Sequence, residues 1–223
     1  MGDTLGISLS AGGFGLVYGV AARAAGFSLV EVGAMSVLAF GGSAQFAAIG
    51  YIANGYPWIA IVALTALINA RHLLYGTVLA PWLVAVPRAV KAAMAYQLND
   101  ETFAIALSHF RRIGRADLAG YAFAALAGTG IPWIAGGIVG AAVAGGIPDP
   151  SRFGLDVIFP AAMGGLAVGL LAQRRDVVAA VSGAAIAVAA SLFINPAVGV
   201  VAGGLVGPVV AMVLIRGEPE AAS

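Results

Sequence analysis

The sequence predicts an all-α polytopic membrane protein with about seven transmembrane helices, some of them short or broken. Three observations predict it. Hydrophobic residues make up 61% of the 223 residues, charged residues only 9%, and mean hydropathy is +0.99; a soluble domain carries about a quarter charged residues. Apolar runs of bilayer-spanning length recur along the whole chain. The basic residues gather between those runs, as the positive-inside rule requires. A net charge of +1 gives no basic surface for nucleic acid, and the absence of Cys excludes disulfides and thiolate metal sites. The opening MGDTLGISLS lacks the basic region of a cleaved signal peptide.

The apolar segments are, in order, about 6–22, 30–53, 58–83, 118–145, 155–172, 177–194 and 197–215, and their Gly-rich boundaries allow a count of six to eight. The first ends before Arg23. The second carries GGSAQF (41–46) near its centre, where two glycines, Ser43 and Gln45 either unwind the helix or let a neighbouring helix approach closely. The third holds INARHLLYG (68–76) between Trp58 and Leu83. The fourth contains GTGIPW (128–133), where Pro132 removes a backbone donor and kinks or breaks the helix. The fifth opens on Asp156, the sixth follows Arg174 and Arg175, and the seventh ends at Arg216.

Between the third and fourth segments, residues 84–117 carry Arg88, Lys91, Arg111, Arg112 and Arg115, which places this stretch in the cytoplasm. Counting outward puts the N-terminus outside, the C-terminus inside, and the loop GIPDPSRFG (146–154) outside. Within 84–117, QLNDETFAIALSHF reads as an amphipathic helix. Either Asn99 or Asp100 caps it at the surface, or the helix dips into the bundle with Asp100 or Glu101 facing Arg71. The whole chain, 1–223, reads as a single integral membrane domain. An offset of about 125 residues aligns Glu31 with Asp156 and Asn69 with Asn195. Residues 1–83 and 118–194 would then form a 3+3 inverted repeat joined by 84–117, a transporter architecture.

The third segment carries the sharpest chemistry. At 1.5 Å per residue Arg71 lies roughly 20 Å from the Trp58 end, near mid-bilayer, where inserting an arginine costs at least about 2.5 kcal/mol. Thr65, Asn69, His72 and Gly76 share an arc of roughly 60°, with Arg71 and Tyr75 one turn apart beside it. Such a polar stripe is a substrate or ion path, or else a set of interhelical hydrogen bonds. For substrate contact the candidates are Gly41, Gly42, Ser43, Gln45, Asn69, Arg71, His72 and Tyr75; for coupling or gating they are His72, Asp100, Glu101 and Asp156. No Gly-x-Ser-x-Gly, phosphate loop or metal-spaced cluster points to an enzyme.

GGSAQF, INARHLLYG followed by Leu79, the DETFA run (100–104) and FGLDVIFPA (153–161) occur in the order and spacing of the AzlC-type branched-chain amino acid permeases, the azaleucine-resistance family, which the chain resembles over nearly its whole length. The N-terminus is shorter and less basic than is usual there. The resemblance implies an exporter of Leu, Ile, Val and Met in the bacterial inner membrane, in contact with membrane lipid and working with a small AzlD-type membrane partner. It implies no cofactor; with no nucleotide site, an ion or proton gradient would supply the energy. A non-transporting scaffold subunit, or a carrier of other small amphipathic solutes, are the other readings.

Overall fold

A computed structural model of the chain describes residues 2–146 and 173–215, with positions 161, 164, 165, 168 and 171 between them. Every regular element among the described residues is helical. They fall into two compact units, 1–162 and 163–223. The first contains α1 (Gly2–Ala24), α2 (Leu29–Leu38), α3 (Ser43–Ala53), α4 (Trp58–Asn69), α5 (Arg71–Leu79) with a 3-10 turn (Ala80–Leu83), α6 (Arg88–Tyr96), α7 (Asp100–Ile113), α8 (Leu118–Phe123), a π-helical turn (Ala124–Gly130) and α9 (Ile131–Gly145). The second contains α10 (Arg174–Phe193) and α11 (Pro196–Leu214).

Four helical runs are long and apolar enough to cross a bilayer: Leu5–Ala24, Trp58–Leu83, Leu118–Gly145 and Arg174–Phe193. Leu29–Leu38 and Val198–Leu214 are shorter apolar helices. The expected span 30–53 is thus divided into α2 and α3, of 10 and 11 residues, each only about half a bilayer long. The expected span 155–172 and Asp156 lie outside the described residues, apart from single positions.

Small residues, not large ones, bring the spans together. A Cβ at Gly19 would land on the Gly137 carbonyl, and one at Gly140 on the Leu16 carbonyl, so α1 and α9 run in backbone contact. Where lipid tails are as apolar as Leu, close backbone approach is what drives helices to associate. Beside this seam Tyr18, Phe46 and Trp133 form an aromatic cluster with ring centroids 5.5–6.1 Å apart. Within the second unit α10 and α11 pack in the same way: a Cβ at Gly203 would land on the Gly183 carbonyl.

Residues 84–117 are not a bare connection. Met94 of α6, Leu98 just after it, Ala106 and Phe110 of α7 and Tyr121 of α8 bury themselves with Leu79 and Leu83 as a second core. Asn99 caps α7, accepting from the Thr102 amide at 2.7 Å, and Gly114 ends it with φ +70°, a left-handed conformation that glycine adopts without strain.

Of the two expected effects of Pro132, a kink or a break, the break does not occur: the helical run continues, the turn before the proline widens to π geometry, and the Ile131 amide reaches back to the Leu126 carbonyl. An α-helical turn would drive the proline ring into the carbonyl four residues back, and the wider turn relieves that clash.

Candidate functional site: a charged centre at two helix interruptions

Between α2 and α3 the backbone leaves the helix at Ala39–Gly42, with Gly42 at φ +47°. A side chain there would be strained, which is the local reason for the glycine. The stranded backbone groups are satisfied by one residue. Gln45, 1% exposed, accepts from the Gly41 and Gly42 amides through Oε1 (3.3 and 3.2 Å) and donates Nε2 to the Met35 carbonyl (3.0 Å). The amide ties the end of α2 to the start of α3.

The third span is interrupted by a single residue. At Ala70 the ladder changes to i→i+3 bonds, Ala70 N to Leu67 O and Leu73 N to Ala70 O. That releases the Asn69 carbonyl, which His72 Nδ1 reaches at 2.8 Å. A carbonyl only accepts, so Nδ1 carries the hydrogen, and Nε2 is the nitrogen left to bind a proton.

Three residues that each begin a helix meet here. Arg71, first in α5, donates Nη2 to the hydroxyl of Ser43, first in α3, at 2.6 Å. Its Nη1 pairs with Oδ2 of Asp100, first in α7, at 2.7 Å. The Tyr75 hydroxyl donates to the other Asp100 oxygen at 2.7 Å, and its ring stacks on Phe103 with centroids 4.3 Å apart. The Arg71 and Asp100 side chains are 26% and 39% exposed. A pair this accessible stabilises by about 1 kcal/mol or less, well below the cost of breaking a fully buried one. At this site two polar atoms, Arg71 Nε and Asn69 Oδ1, are buried without a partner among the described residues.

The structure therefore gathers Ser43, Gln45, Asn69, Arg71, His72, Tyr75 and Asp100 around Gly41 and Gly42. Both readings of 97–110 hold together: Asn99 caps α7, and Asp100 faces Arg71. Glu101 is exposed and makes no ion pair among the described residues. Asp156 lies outside them. Two threonines absent from the sequence reading join the site at second hand. Thr129, in the π turn, donates to the Ala125 carbonyl and accepts from Asn99 Nδ2 and from the Thr102 hydroxyl, each at 3.3 Å. Both are 1% exposed or less. The signal for Thr129 was a lone Thr flanked by glycines inside an apolar span, GTG, which the proline beside it overshadowed; Thr102 stood inside the DETFA run, behind its two acids.

At the far end of α7, Arg112 donates to His109 Nδ1 at 3.1 Å, so His109 donates Nε2–H to Asp117 at 2.9 Å. The Gly120 amide and then His109 hold the Asp117 carboxyl below the ordinary range.

A helical membrane protein with interrupted spans around a paired arginine has the build of a transport-related protein. The chain belongs to the AzlC protein family, whose model matches residues 6–147. It is 30% identical over 195 residues to a protein of Archaeoglobus fulgidus described as an uncharacterized membrane protein, covering 86% of this chain and 83% of that one. It is 30% identical over 145 residues to the inner membrane protein YgaZ of Escherichia coli, covering 62% and 57% of the two chains. It is 36% identical over 62 residues to the branched-chain amino acid transport protein AzlC of Bacillus subtilis, covering 28% and 24%. No solved structure matches.

Proposed function

We propose that the chain is a secondary transporter that exports branched-chain amino acids, Leu, Ile and Val with Met, across the bacterial inner membrane. The observation that carries this is the Arg71–Asp100 pair at two helix interruptions. A zwitterion can compete for both halves of such a pair, because its carboxylate binds where Asp100 sits on Arg71. The Gly41 and Gly42 amides are taken by Gln45 in this conformation. The carboxylate anchor is then Arg71, with its unpaired Nε, and the Ser43 hydroxyl, assisted by the positive end of the α3 dipole.

Displacing Asp100 from Arg71 frees α7 from α5 and α3. In this reading that release is the step that changes which side the site faces. His72 is the coupling group: its open Nε2 binds a proton, and its Nδ1 holds the interruption through the Asn69 carbonyl. A small AzlD-type membrane protein completes the working transporter.

Efflux of labelled leucine from cells, with and without the neighbouring small membrane protein, tests the reading. Arg71→Lys keeps the charge and loses the planar donor fork. It should cut efflux at least tenfold, as should Ser43→Leu. Wild-type rates in both variants would place the site elsewhere.

A further inference from the structure

We propose that a pocket beside the charged centre receives the ammonium and the aliphatic chain of the substrate, and that it accepts 2-amino acids while refusing 2-oxo acids of the same carbon skeleton. This rests on the transport reading above and names what that site selects. A cavity of about 320 Å³ lies among α2, α3 and α4, with Tyr96 at the end of α6 on its wall. Ligand pockets run from roughly 300 to 1,000 Å³, so this one suits a single small molecule. Its wall is largely apolar, with Met35, Leu38, Phe40 and Ile61 among its larger residues.

The polar atoms on that wall are unusual in what they have left to offer. Gln45 spends one of its two amide hydrogens on the Met35 carbonyl and its oxygen on two backbone amides. Thr65 spends its hydroxyl hydrogen on the Ile61 carbonyl at 2.7 Å, and Tyr96 spends its own on the Val37 carbonyl. Each of these hydroxyls keeps only acceptor lone pairs. Asn69 Oδ1 is buried with no donor at all. A buried acceptor without a donor is a defect that a ligand N–H would repair. No Asp, Glu, Arg or Lys lines the cavity.

An ammonium therefore finds neutral acceptors there, and a methyl-branched chain finds Met35, Leu38 and Ile61. A 2-oxo acid brings only further acceptors and leaves Asn69 Oδ1 unpaired. Sites built to hydrogen-bond a substrate N–H reject an analogue that lacks it far more strongly than apolar pockets reject a changed methyl. Ala44 of the cavity wall follows Ser43, whose hydroxyl holds the Arg71 guanidinium, so the start of α3 carries the carboxylate end of such a ligand toward Arg71.

The test is competition on the full-length protein in nanodiscs, with labelled leucine displaced by 3-methylbutylamine or by 4-methyl-2-oxopentanoate. The amine should displace leucine and the oxo acid should fail at a hundredfold excess. Asn69→Leu should weaken leucine at least tenfold, and Asn69→Asp should tighten the amine. Ile61→Ala, which enlarges the cavity, should shift preference from valine toward phenylalanine. If leucine binds but the oxo acid displaces it as well as the amine does, the pocket does not take the ammonium and the proposal falls. Unchanged selectivity in Ile61→Ala removes the aliphatic chain from this pocket and overturns it too. If leucine does not bind at all, the transport reading fails and this inference with it.

Discussion

Single residues here hold backbone that the fold leaves open. Gln45 bonds three main-chain groups, and for the Gly41 and Gly42 amides no other partner stands by. Gln45→Leu matches its bulk but strands those two amides, each costing about 1–3 kcal/mol when buried, while the Met35 carbonyl keeps the Ala39 amide. We expect a loss of at least about 2 kcal/mol, read as a lowered midpoint of thermal unfolding in detergent. An unchanged midpoint would mean that water or a shifted backbone takes over its role. His72 allows a different measurement, because coupling can be separated from binding. In liposomes a pH gradient alone should drive leucine uphill, and His72→Gln should abolish that accumulation while leaving leucine exchange intact. Accumulation that survives the substitution would make the histidine structural and move the coupling to an acid.

At the scale of helices, close contact and capping set the arrangement. Gly140 lies against the Leu16 carbonyl, so Gly140→Leu must push α1 from α9. Overpacking of this kind costs about 1–3 kcal/mol, and here it meets backbone that cannot yield. The variant should unfold earlier on heating, whereas Gly6→Leu, which meets open space, should not. Asp117 caps the helix that opens the fourth span, bonding the Gly120 amide and His109. Its carboxyl is held below the unfolded value. The sign follows: its contribution is full above about pH 4 and is lost as pH falls through the lowered native value. Asp117→Ala should lower the unfolding midpoint at pH 7 and flatten its decline below about pH 4. A parallel acid decline in both proteins would remove Asp117 from that response.

For the whole molecule the topology is the open quantity that chemistry can read directly. With 84–117 in the cytoplasm and 146–154 outside, cysteines at Ser108 and Ser151 should react with an impermeant thiol reagent from opposite sides. Ser108 is exposed, so its cysteine is accessible; Ser151 lies outside the described residues. Reaction of both from one side would overturn the orientation and the count of seven spans.

What the sequence determined by itself was composition-borne. A chain so poor in charge must place its backbone in helices once it enters lipid, since no water is there to satisfy open N–H and C=O groups. An arginine and a histidine at mid-depth had to be met by something polar, and GGSAQF, NARH and NDET marked where. What only the tertiary structure decided was the pairing. Periodicity placed Arg71 on a face, but not opposite Asp100 rather than Glu101, because neighbouring residues at the start of a helix differ by one turn angle that packing selects. The same holds for Pro132, whose effect depended on whether the chain could widen its turn before the ring. It holds also for Asn69, whose unpaired oxygen becomes visible only when α2, α3 and α4 close around a cavity that no single helix contains.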